Sequence, residues 1–104
     1  VFFQTNWDEY LNDEEKYANH PEISMEVIEY LVEKKVNMIG IDTLGLGLRR
    51  NHGIIDDYLA KNKIYGIENL ANLKSIPSND FKVYCLPMKI EGIDALPTRV
   101  LVEF

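Results

Sequence analysis

The sequence has 104 residues, a formal net charge of −6 and a pI near 4.8, with 17 acidic against 11 basic side chains. That length accommodates one domain of 1–104, or part of a larger one, with one modest core. The acidic balance argues against nucleic acid and anionic membranes as partners, and no apolar run reaches the roughly 18 residues a bilayer span needs.

Val1-Phe2-Phe3 opens the sequence inside an apolar, strand-like run with no methionine. Termini normally lie exposed, so the expectation is a piece of a longer chain. Val1 to Gln4 reads as a short strand, and the acidic stretch Asp8 to Asn19 as an irregular surface excursion anchored by its aromatics. His20-Pro21 interrupts any helix. Ser24 reads as an N-cap, followed by Met25, Ile28, Leu31 and Val32 at helical spacing and by Lys34-Lys35 where a helix end favours cations. Val36 to Asp42 has the nearly unbroken apolar character of a buried strand. Thr43 to Arg50, with Gly45 and Gly47, reads as a loop.

Asn51 to Asn62 is a second predicted helix with an Ile54, Ile55, Tyr58 and Leu59 stripe. Ile64 to Ile67 is a strand, and Glu68 to Leu73 a helical turn. Phe81 to Leu86 and Pro97 to Phe104 are the last strands, with Lys89 to Leu96 looping between them. Strand and helix alternate, which is an α/β order.

The strongest polar constellation is His52, Asp56, Asp57 and Glu68. His52 and Asp56 are four apart and share a helix face. Glu68 falls at a strand end, where α/β folds place functional groups. An imidazole and carboxylates converging there suit Zn²⁺ or Mn²⁺; the alternative is a solvated helix surface. With His20 and His52 the only histidines, a three-histidine zinc site cannot form within these residues. His20 reads as a packed or solvent-facing loop imidazole. Gly45-Leu46-Gly47 lacks the Gly-Lys-Ser/Thr ending of a phosphate loop. Cys85, the single cysteine, reads as a buried structural thiol and excludes an internal disulfide. With no targeting segment in view, the expected location is cytoplasmic.

Several segments, in order, resemble one family. Thr5-Asn6-Trp7 is similar to its Thr-Gly-Trp segment, and His20-Pro21-Glu22-Ile23-Ser24 to its His-Pro helix entry. Ile39-Gly40-Ile41-Asp42-Thr43 is similar to its Gly-(apolar)-Asp-Thr strand end, and Glu68-Asn69-Leu70-Ala71-Asn72-Leu73 to its Glu-Asn-Leu stretch. Lys89-Ile90-Glu91-Gly92, Asp94 and Pro97-Thr98-Arg99 resemble its closing pattern. The family is the cyclase-type metal-dependent hydrolases, which include bacterial kynurenine formamidase and isatin hydrolase.

The resemblance implies an α/β fold, a compact mixed-sheet, barrel-like domain with flanking helices, of which this chain is the C-terminal portion. It implies hydrolysis of a C–N bond in an amide, formamide or lactam by an enzyme carrying Zn²⁺ or Mn²⁺. It also implies a small-molecule substrate, a homo-oligomer, and contacts with an N-terminal half. The family's histidine-rich signature segment is absent from these residues, so the catalytic base is expected in that half and the 104 residues alone are expected to be inactive. The alternative is a non-enzymatic ligand-binding or interaction domain on the same fold. Glu68 matches the family's glutamate by context. Its partner is His52, sixteen residues before, or Asp56, twelve before; His52 is favoured because imidazole is the commoner zinc ligand. Trp7 is a candidate for the substrate pocket, with a core position as its alternative.

Overall fold

Ile39 and Ile41 are wholly buried on one face of the central strand β2 (Met38–Ile41). Against that face pack helix α2 (Met25–Glu33) through Ile28 and Leu31 and helix α3 (Arg50–Lys61) through Ile55 and Leu59. With Leu46 and Ile64 these residues make one apolar core. Their helical spacing of three and four explains why both helices form where the stripe predicts. The Ser24 hydroxyl caps α2 by accepting from the Val27 N–H. Lys35 and Lys63, both at positive φ, follow the two helix ends in the left-handed turn that closes a helix.

The model, a computed structural model, describes residues 1–104. They divide into two units, Val1–Leu73 and Lys74–Phe104. In the first, β1 (Phe2–Phe3), β2 and β3 (Tyr65–Ile67) form a parallel sheet in that order. Gly40 pairs with Phe2 and Ile67. A Cβ there would lie 2.6 Å from the Phe2 ring and 2.7 Å from a Leu70 methyl, so glycine lets both close over the second face of the sheet. The second unit holds an antiparallel pair, β4 (Lys82–Cys85) and β5 (Val100–Glu103), with Val83 opposite Val102.

Helix and strand content is therefore mixed, as expected for an α/β chain. The barrel-like sheet does not form among these residues. Parallel pairing is confined to three strands and antiparallel pairing to two, and strands of two to four residues in so small a number leave both sheets open. Two local expectations also change. The stretch after Asp8 is ordered as a 3₁₀ turn, Trp7–Tyr10, and a short helix α1 (Glu14–Ala18), whose Asp13 cap accepts from the Lys16 N–H. Glu68 to Leu73 does not turn helically; a 3₁₀ turn follows at Leu73–Ser75. Cys85 is only partly buried, on a two-stranded sheet too small to enclose it. No helix is long and apolar enough to cross a membrane.

Candidate metal centre

Parallel strands present their C-terminal ends on one side of the sheet, and the chemistry gathers there. Asp42 and Thr43 follow β2, Glu68 follows β3, and Thr5 to Trp7 follow β1. Asp42 is 1% exposed, and its carboxylate accepts from the Thr5 N–H, the Thr5 hydroxyl and the Asn6 N–H at 2.7–2.9 Å. It thereby ties the end of β1 to the end of β2. The end of β3 is tied in turn: the Asn69 N–H donates to the Thr43 carbonyl and the Leu70 N–H to that of Ile41. Asn69 adopts a left-handed φ of 57° and accepts from the Tyr17 hydroxyl at 2.9 Å. Asparagine tolerates that conformation better than other non-glycine residues. Glu68 is held between Ile67 and this anchored segment.

His52 lies in the first turn of α3. Its Nε2 is 3.1 Å from Asp56 Oδ2, one helical turn on, and 3.9 Å from Glu68 Oε1. One donor atom from each of the three residues falls within a 4.8 Å cluster. Three ligands of one Zn²⁺ or Mn²⁺ stand roughly 3.0–3.4 Å apart, given metal–ligand distances of about 2.0–2.2 Å. The pair at 3.1 Å meets this, and the pair at 3.9 Å needs a side-chain shift of about half an ångström. The residues present therefore fit a divalent metal. Asp57, grouped with them by sequence, turns away and pairs with Lys61 at 2.6 Å.

Partial burial pushes the Glu68 carboxyl above its ordinary range; His52 opposes this, Asp56 adds to it, and His20 opposes it. A carboxylate already uncomfortable as an anion gains most from a cation beside it.

Gly45 explains the position of the imidazole. A Cβ at this residue would stand 2.2 Å from His52 Nδ1 and 3.4 Å from Glu68 Oε1. The conflict is with side chains rather than backbone, so it moves the ligand and leaves the fold. Gly45→Ala is expected to lower Zn²⁺ affinity at least tenfold while changing unfolding free energy by less than about 1 kcal/mol. Metal titration beside a thermal melt checks this. Gly47 is tighter: a Cβ would meet the Asn51 and His52 backbone at 2.6 Å, which is why this loop needs glycine and why the spacing is unrelated to phosphate.

Beside the three donors lies a cavity of about 470 Å³, whose lining includes His20, Leu44, Leu48, Arg49, His52 and Glu68. Its size is ordinary for a small-molecule site. His20 is only 4% exposed, the packed one of the two alternatives that its loop position left open. The chain after it docks on the 46–51 segment: the Ile23 N–H donates to the Leu46 carbonyl, and Glu22 accepts from the Leu48 N–H and the Asn51 side chain. Trp7 lies outside this lining. Its ring packs edge-on to Tyr10 at 4.9 Å, and its Nε1–H donates to the Tyr17 carbonyl.

Fold and donor set together describe a parallel α/β unit with a candidate metal centre at the carboxyl ends of its strands. The chain is similar to the cyclase family in its first part: the family model described as "Putative cyclase" matches residues 1–47. It is 28% identical to an isatin hydrolase of Roseibium aggregatum over 97% of this chain and 43% of that protein. It is 32% identical to an uncharacterized protein of Methanocaldococcus jannaschii, over 97% of this chain and 52% of the other. A crystal structure of an isatin hydrolase bound to the product analogue thioisatinate superposes with a TM-score of 0.85 at 27% identity, covering 98% of this chain and 44% of that one. The chain thus spans about half the length of the relatives it matches.

Proposed function

We propose that these residues are part of a metal-dependent hydrolase that cuts a C–N bond in an amide, formamide or lactam. The observation that carries this is the convergence of His52, Asp56 and Glu68 beside a ligand-sized cavity. Similarity to isatin hydrolase supports the reading. His52 would supply an imidazole nitrogen, and Asp56 and Glu68 carboxylate oxygens, to zinc or manganese. Bound there, such an ion lowers the pKa of a water and polarises a carbonyl.

The chain's own residues hold the frame. Asp42 and the segment after Glu68 lock the strand ends, and Gly45 lets the imidazole reach the carboxylates. In this reading the general base, the remaining ligands and the strands that close a barrel-like sheet belong to the part of the relatives' length that this chain does not span. The working enzyme is a cytoplasmic homo-oligomer acting on a small molecule, with Trp7 bracing the β1 end of the site.

Purified full-length protein tests this with N-formylkynurenine and isatin as substrates. Hydrolysis of either is expected, lost on EDTA treatment and restored by Zn²⁺ or Mn²⁺, with none from the 104 residues alone. Metal binding without hydrolysis of any amide or lactam offered would favour a ligand-binding role.

A further inference from the structure

The donor pairs differ in what fixes their spacing. His52 and Asp56 stand one turn apart on α3, so the helix itself sets their 3.1 Å separation. His52 and Glu68 come from different elements, α3 and the end of β3, and no single element spans their 3.9 Å gap. That gap is also the one that must close by about half an ångström around an ion.

The segment 17–22, running from the end of α1 toward α2, grips the chain beside both donors. At one end the Tyr17 hydroxyl donates to Asn69 Oδ1 at 2.9 Å, on the residue that follows Glu68. Tyr17 is buried, and its carbonyl accepts from the Trp7 Nε1–H at 3.3 Å. Burial, then the charges of Asp42, Asp8 and Glu68, push its phenol above the ordinary range, so the hydroxyl stays a donor. The backbone of Asn69 is fixed by its left-handed φ and by its N–H bond to the Thr43 carbonyl.

At the other end Glu22 accepts from the Leu48 N–H at 2.8 Å and from the side chain of Asn51, the residue before His52, at 3.1 Å. Between them Asn19 accepts from the Arg49 guanidinium at 3.1 Å. Arg49 has φ 54° and ψ −126° in a turn closed by the Asn51 N–H on the Leu48 carbonyl, a position that favours glycine. A residue strained in this way persists only where its surroundings over-determine it. Here the bonds from Asn19 and Glu22 to Arg49, Leu48 and Asn51 do so.

We propose that Tyr17 and Glu22 are positioning residues, and that the segment between them is a brace that sets the distance from the His52 imidazole to the Glu68 carboxylate. Tyr17 acts through Asn69, and Glu22 through Leu48 and Asn51. The proposal rests on the metal reading only for what that distance serves. A binding constellation must be held to within about 0.5 Å, and groups that orient ligands change metal affinity about 10–100-fold.

Mn²⁺ titration and metal-free crystals of the full-length protein test it. Tyr17→Phe removes one hydroxyl and keeps the ring, and Glu22→Ala removes the other grip. Glu22→Gln keeps an acceptor for the Leu48 N–H. Mn²⁺ affinity is expected to fall about tenfold in Tyr17→Phe and in Glu22→Ala, and to recover in Glu22→Gln. With Co²⁺ at saturation, the visible absorption band is expected to shift in the first two and to match the wild type in Glu22→Gln. Loss of stability alone would leave that band in place. In metal-free crystals the separation of His52 Nε2 from Glu68 Oε1 is expected to widen by about 0.5 Å or more in Tyr17→Phe and Glu22→Ala, relative to the metal-free wild type. An unchanged separation in either variant would overturn the proposal for that residue, whatever the metal does. Failure of the wild type to bind metal, with the separation still widening in the variants, would strike the metal reading and uphold the brace.

Discussion

Asp42→Asn is expected to destabilise the Val1–Leu73 unit by about 3 kcal/mol. The carboxylate is 1% exposed and receives two backbone N–H groups and one hydroxyl across both oxygens. An amide retains one acceptor oxygen and turns an NH₂ group toward the donors on the other side. Those donors are then left unsatisfied or must move, which costs about 1–3 kcal/mol each when buried. Thr5→Val removes the hydroxyl's bond to Asp42 and the one it accepts from the Trp7 N–H, and is expected to cost about 1–2 kcal/mol. Urea melts of the two variants and the wild type measure both. A cost below about 0.5 kcal/mol for Asp42→Asn would show that the Thr5 to Trp7 segment does not depend on this anchor.

The second large effect has two parts of opposite sign. Glu68→Gln is expected to weaken Zn²⁺ or Mn²⁺ binding at least tenfold, since a carboxylate ligand is lost while its shape is nearly kept. In metal-free protein the same change is expected to raise the melting temperature at neutral pH. The folded-state pKa of Glu68 is raised, chiefly by burial. Folding therefore favours its protonated form, and stability falls as pH climbs from the ordinary carboxylate value through the raised one. Above that window the anion is a standing penalty that glutamine removes. Below about pH 4 the wild-type carboxyl is protonated in both states and the advantage of glutamine vanishes. Melts of metal-free protein between pH 4 and pH 8 check the trend. A destabilising Glu68→Gln at neutral pH would mean that the pairing with His52 outweighs the burial.

Local signals made much of the first unit legible. The Ser24 cap with its apolar stripe predicts α2, and the apolar run before Asp42 contains β2. His52 and Asp56 share a face by simple periodicity, and Glu68 falls at a strand end. What sequence did not reveal depends on contacts between distant segments. The Thr5-Asn6-Trp7 and Asp42-Thr43 motifs look unrelated along the chain, yet Asp42 makes them one structure. Glu68 to Leu73 has the composition of a turn of helix, but the Asn69 and Leu70 N–H groups are taken by the Thr43 and Ile41 carbonyls, and Asn69 and Asn72 adopt the left-handed conformation, which a right-handed helical turn excludes. For His20 the sequence left packed and solvent-facing positions open, and contacts with a distant segment decide between them. Glu22 and Ile23 bury it by docking on the 46–51 segment. The strain at Arg49 is a property of a turn whose glycines lie two and four residues earlier.

The convergence of His52, Asp56 and Glu68 on one ion is tested most directly by anomalous diffraction from crystals of the full-length protein grown with Mn²⁺. A peak about 2.0–2.2 Å from His52 Nε2 and from oxygens of Glu68 and Asp56 is the expected result. A fully occupied Mn²⁺ site that none of these three side chains touches would contradict it.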